Sequence, residues 1–172
     1  MSSLSKTFCF TAILWMLSGC GFEPLYGSRG QGPRIDSALN EIRIEPIKDR
    51  VGQQLYNYLL DRLNPRGAPG HPRYSLTTTV AVNKIELGIE RDETATRAKL
   101  SLSANFTLRN AINNAVVFFG SSQSTNSFNI VESDFATLSA EKDAIDRAAR
   151  VVSEEIKTRL GLYLNQVIQQ NP

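Results

Sequence analysis

Residues 98–109 alternate without a break: Ala98, Leu100, Leu102, Ala104, Phe106 and Leu108 on one parity, Lys99, Ser101, Ser103, Asn105, Thr107 and Arg109 on the other. Side chains of a strand point to opposite faces in turn, so this run is a strand with one apolar and one polar face. Such regularity requires a sheet covered on one side only. The rest of the chain must supply its partner strands and a single covering layer.

Tyr74, Leu76, Thr78, Val80 and Val82 also alternate, as do Ile85, Leu87 and Ile89, but the two sets differ in phase by one residue. A single flat strand cannot put both on one face, which predicts a bulge or kink near Asn83 and Lys84. Arg91-Asp92-Glu93-Thr94 and Asn110-Ala111-Ile112-Asn113-Asn114 read as turns, and Val116 to about Ile130 as a third long strand. Its middle, Ser121 to Ser127, has almost no apolar content, so it is expected to be edge-like, near water, or lining a polar partner. Earlier, Ile42 and Ile44 alternate with Arg43 and Glu45 in a short strand ended by Pro46.

Two helices complete the pattern. Asp49 is the expected N-cap of the first, whose apolar face is Val51, Leu55, Tyr58, Leu59 and Leu63, and Asn64 to Pro72 breaks it. Ser139 is the expected cap of the second, with a stripe of Ile145, Ala148, Ala149, Val152, Ile156, Leu160, Tyr163 and Val167, and Gly161 as its end or weak point. The expected fold class is α+β: a two-layer sandwich of two helices on one face of a four-stranded, mostly antiparallel sheet, in the order β-α-β-β-β-α.

The N-terminus reads as an export signal: Lys6, an apolar run from Phe8 to Leu17, then Ser18-Gly19. The run is too short to span a bilayer, for which about 20 apolar residues are needed. Leu17-Ser18-Gly19-Cys20 places a cysteine at the cleavage point, the arrangement of a bacterial lipoprotein, so Cys20 is the expected lipid attachment site. Its thiol would take diacylglycerol and its new amine a further acyl chain, a far firmer hold than one chain gives. The expected organisation is a signal over 1–19, a lipidated N-terminus and flexible tether over 20–38, and a single folded domain over 39–172.

The same reading narrows the chemistry. Cys9 leaves with the signal and Cys20 is modified, so no disulfide forms and stability rests on a core. The chain has 19 Lys and Arg against 17 Asp and Glu, and Lys6 is lost with the signal, so charge gives no case for nucleic acid as a partner. His71, the one histidine, lies between Gly70 and Pro72 and has no partner for a zinc site or a triad. Glu86, Glu90, Asp92 and Glu93 read as solvated turn charges rather than a glycosidase pair. The expectation is a protein without catalytic residues, metal or cofactor. Arg91, Arg97 and Lys99 flank one hairpin turn and so gather at one end of the sheet. There they either meet phosphates or neutralise Glu90, Asp92 and Glu93.

The stretch Gly19-Cys20-Gly21-Phe22-Glu23-Pro24-Leu25-Tyr26-Gly27 resembles the mature start of the LptE lipopolysaccharide-assembly lipoproteins in their alphaproteobacterial form. Thr94 to Leu100, Ala104 to Leu108, Val117 to Gly120, Ser127-Phe128-Asn129 and Asp143 to Ala149 continue the resemblance over nearly the whole chain. It implies an outer-membrane lipoprotein facing the periplasm, held through its lipid anchor, that plugs the LptD β-barrel and binds lipopolysaccharide. Gly21 after Cys20 is compatible with that sorting. The family's basic residue at the turn between the second and third strands corresponds to Arg91, and a second basic position falls near Leu138, with Lys142 as its neighbour. The alternative is an accessory lipoprotein of another envelope lipid-transport complex.

Overall fold

The structure, a computed structural model, describes residues 32–89 and 95–170. Three helices and four strands follow in the order α1 (Gly32–Asn40), β1 (Ile42–Ile44), α2 (Asp49–Leu63), β2 (Tyr74–Ile89), β3 (Ala95–Asn110), β4 (Val116–Asn129) and α3 (Asp134–Gln170). The sheet order is β1-β2-β3-β4. β1 pairs parallel with β2, and the other two pairings are antiparallel. This is the expected α+β sandwich with one additional short helix.

That helix corrects the tether. The expected tether takes in residues 32–38, yet Ile35 and Leu39 of α1 are buried in the core. Pro33 is the second residue of α1, where a missing N–H costs nothing, so a proline there does not preclude a helix. Two caps also fall elsewhere than expected. Lys48, extended at φ −68° and ψ 159°, precedes α2 and makes no side-chain cap bond, while Asp49 is helical residue one with φ +67°, a region aspartate tolerates. Ser133 caps α3, its hydroxyl accepting from the Ala136 N–H at 3.4 Å, so Ser139 is interior. Nor does α3 stop at Gly161. Leu164, a turn further on, is buried, and its burial offsets the glycine.

The core lies between the sheet and its helical layer. Leu55, Leu59 and Leu63 of α2 meet Ile42, Ile44, Tyr74 and Leu76, while Ala148, Ala149, Val152, Ile156 and Leu160 of α3 cover the apolar row Ala98 to Leu108. The inward residues from Ala98 to Leu108 are all buried, as their alternation requires. β4 is the edge strand, but its polar middle is not wholly in water: Ser122 and Ser124 are buried beneath α3. The Ser122 hydroxyl donates to Glu155 Oε2 at 2.5 Å, and Asn126 Nδ2 donates to the Ala144 carbonyl at 3.4 Å.

A polar knot joins the helices. The Tyr58 hydroxyl, Gln54 Nε2 and Arg150 Nη2 all donate to the Asp146 carboxylate, and Arg62 and Arg150 lie 5.4 and 5.3 Å from the centre of the Tyr58 ring. These bonds, chiefly that from Tyr58, hold the Asp146 carboxyl below its usual range.

The predicted bulge near Asn83 and Lys84 is absent. β2 and β3 stay in one register from Tyr74 opposite Asn110 to Ile89 opposite Ala95. The phase change in β2 is met differently: Ile85 and Leu87 point away from the helices and are 50% and 40% exposed. The sheet's irregularity lies at the other end, between Leu108 and Arg109, where β4 carries an extra residue.

Candidate functional site

Among the described residues, no helix covers the outward face of the sheet. Cross-strand partners share a face, so the register places Lys99 directly between Ile85 and Ser127, and Arg97 between Leu87 and Asn129. Arg97 and Lys99 are therefore neighbours two residues apart on one exposed surface. No carboxylate among the described residues forms an ion pair with either. Arg91 lies outside the described residues, as do Cys20, Glu90, Asp92 and Glu93, so the turn between β2 and β3 adds nothing to this geometry.

What sequence reading missed is the aliphatic half of the site. Ile85 and Leu87 looked like core residues displaced by a kink. They instead stand exposed beside the two cations. The signal that could have found them was the phase change itself: with β3 fixed as apolar on even numbers, odd-numbered apolar residues in an unkinked partner must face out.

Charge accumulates on this face by composition. From Ala95 through Val131 the sequence has no Asp or Glu, while Arg97, Lys99 and Arg109 stand within it. The carboxylates gather on the helices, where Asp143, Asp146, Glu154 and Glu155 are each engaged by an arginine. The sheet's outer surface is thus cationic and hydroxyl-rich, and the helical layer is electrically self-paired. Such a face accepts an anion, and where cations adjoin aliphatic side chains it accepts an anion with an apolar body.

A cavity of about 240 Å³ opens on the other face, where α2 begins beside the first turns of α3. Arg50, Val51, Gln54, Leu138, Glu141, Lys142 and Ile145 line it. Leu138 and Lys142 thus share one lining, on the opposite side of the sheet from Arg97 and Lys99, while Arg91, the other basic position of the resemblance, lies outside the described residues. Glu141 is tied to Lys84 at 3.0 Å. His71 is exposed in the loop after α2. Among the described residues no group of histidine, cysteine and carboxylate side chains could hold a metal, and no helix is long and apolar enough to cross a membrane.

Solved structures share this architecture. A chain described as a lipoprotein from Caulobacter crescentus superposes with a TM-score of 0.65 at 24% identity, covering 77% of this chain and 97% of that one. The rare lipoprotein B of Shewanella oneidensis matches at 0.55 and 9% identity, covering 76% and 98%, and lipoprotein B of Nitrosomonas europaea at 0.55 and 10%, covering 76% and 87%. At these identities the likeness is one of fold. The search of curated proteins found no match. The family defined as LptE, lipopolysaccharide-assembly, matches residues 39–160, from the end of α1 to Leu160 in α3. That match takes in every strand of the sheet and the site on its outer face, and the chain belongs to the LptE lipopolysaccharide-assembly family.

Proposed function

We propose that this protein is a lipid-anchored outer-membrane assembly factor that seats in the LptD barrel and binds lipopolysaccharide on the outer face of its sheet, at the β2–β3 end. One observation supports the lipid site above the others: Arg97 and Lys99 stand directly opposite the exposed Leu87 and Ile85, and no carboxylate among the described residues forms an ion pair with either cation. Phosphates would take the cations through charge-assisted hydrogen bonds, and acyl chains would lie against the aliphatic pair. Arg91 is the third cation of the proposal. Cys20 carries the anchor and no other role, and the protein works by binding rather than by catalysis, without a cofactor beyond its acyl chains. The barrel contact is assigned to the β4 edge, whose Ser121, Gln123 and Thr125 are exposed and suit a wet barrel interior.

Charge reversal tests the lipid site. Arg97→Glu with Lys99→Glu removes two cations and adds two repelling charges. At about tenfold per 1.4 kcal/mol, the loss of even one charged contact should weaken lipopolysaccharide binding by about tenfold or more at low salt, where screening is least. Folding by circular dichroism should be unchanged. A double variant that binds as well as the parent removes the site from this face.

A further inference from the structure

The chemistry of the β2–β3 end recurs at the opposite end of the same face. Arg43 of β1 lies opposite Ser75, Ser75 opposite Arg109, and Arg109 opposite Val116 of β4, so two arginines and an aliphatic residue share one cross-strand row. In the next row Thr107 lies opposite Phe119, which is 75% exposed, and at the turn Ile112 is 92% exposed. Arg73 borders that turn, its carbonyl accepting from the Ala111 N–H at 3.0 Å. The bulge between Leu108 and Arg109 lets Val116 share the Arg109 row while Phe118 packs inward on Tyr163, their rings 4.9 Å apart.

Between the two ends the face changes character. Thr79, Ala81 and Asn83, Ser103 and Asn105, and Ser121 and Gln123 carry neither a charge nor a large apolar side chain. Lys99 and Arg109 are ten residues apart on β3, about 33 Å at strand rise. The face therefore has two separate places where cations adjoin aliphatic or aromatic surface, with a hydroxyl and amide track between them.

We infer that the Arg43–Arg109–Val116–Phe119 end is a second binding station for the same phosphorylated, acylated glycolipid. This rests on the proposed lipopolysaccharide site and deepens it: a lipid meets one cationic, apolar station, crosses a polar stretch that holds it weakly, and meets the other. Arg109 donates to the Asn114 carbonyl at 3.0 Å and pairs with no carboxylate among the described residues, so its charge is available to a phosphate. Arg43 pairs with Glu45 at 3.1 Å, with both side chains substantially exposed, a contact a multiply charged ligand displaces at little cost.

The two stations can be read separately by tryptophan fluorescence. Trp15, the chain's one tryptophan, lies within the expected signal, so in the mature lipidated protein Phe119→Trp reports one end and Leu87→Trp the other. Lipid A is titrated into each, and lipid A stripped of its phosphates and phosphatidylglycerol vesicles serve as comparison probes. Both reporters are expected to shift to the blue with intact lipid A and several-fold less with the stripped form. Arg109→Glu should abolish the shift at position 119 and spare that at 87, and Arg97→Glu with Lys99→Glu should do the reverse. Because Arg109 also holds the turn, Phe119→Ser is the companion variant, with Arg109 intact, and should lower the amount of lipid A bound. A shift at 87 alone overturns the second station and leaves the proposed function standing. Silence at both positions overturns both. An equal response of position 119 to phosphatidylglycerol makes that end a general bilayer contact and overturns the inference.

Discussion

The two halves of β2 share one backbone, one partner strand and one unbroken register, yet they live in different surroundings. From Tyr74 to Thr78 the inward residues are buried beneath α2; from Ala81 to Leu87 every side chain is exposed. At the inward positions Val82 and Lys84 the cause is length, whereas Ile85 and Leu87 stand on the outward face. A 15-residue helix spans about 22 Å, whereas a 16-residue strand spans about 53 Å, so α2 covers less than half of β2. β3 escapes this because α3, at 37 residues, runs along it, and its inward leucines stay buried to the end. The lesson is that the far half of β2 is held by strand pairing and contributes little to the core. Its apolar residues are free to serve another partner.

Stability measurements should break the strand pair apart at this point. Leu102→Ala, a buried change opposite Val82, is expected to cost about 2–5 kcal/mol in urea unfolding, whereas Leu87→Ala opposite Arg97 should cost under about 0.5 kcal/mol. Equal losses would mean that the far half of β2 is covered after all. Gly120→Ala sharpens the contrast on β4, because a Cβ there would lie 2.8 Å from Cζ of the buried Phe106 ring, and about 1–3 kcal/mol of overpacking follows.

The helical layer is tested next. Asp146→Ala removes the acceptor shared by Tyr58, Gln54 and Arg150 and should cost about 1–3 kcal/mol. Because the folded pKa of Asp146 is depressed, its contribution is present above the ordinary carboxylate value and is lost as pH falls through that value toward the folded one. The stability gap between parent and Asp146→Asn should therefore narrow on acidification, and a gap that widens would show the sign to be wrong. The smallest expected effect on folding is that of Arg97→Glu with Lys99→Glu, within about 0.5 kcal/mol, since both side chains are exposed.

The sequence was most legible where one physical demand acted alone. β3 had to hide one parity and show the other, and Ala98 to Leu108 did so throughout. The stripes of α2 and α3 were read from the same kind of periodicity. Reading failed where tertiary context overrode a local signal. Residues 32–38 read as tether, yet Ile35 and Leu39 anchor a helix there in the core, and Gly161 reads as an end or weak point that the buried Leu164 carries past. The phase shift in β2 looked like a bulge because both apolar sets were assumed to need burial. The cation pair Arg97 and Lys99 was visible in the alternation of β3, but its aliphatic partners were not, since only the register with β2 brings them opposite.

In the proposed function the outward sheet face, and not the helical layer, meets the partners of this protein. Photo-crosslinkers at Leu87 and Gln123 on that face, and at Lys142 and Glu154 on the helices, test it directly in cells carrying the full-length protein. Lipopolysaccharide adducts at position 87 and barrel adducts at 123, with neither partner trapped from 142 or 154, are the predicted result. Adducts confined to positions 142 and 154 would contradict the account and turn the molecule around.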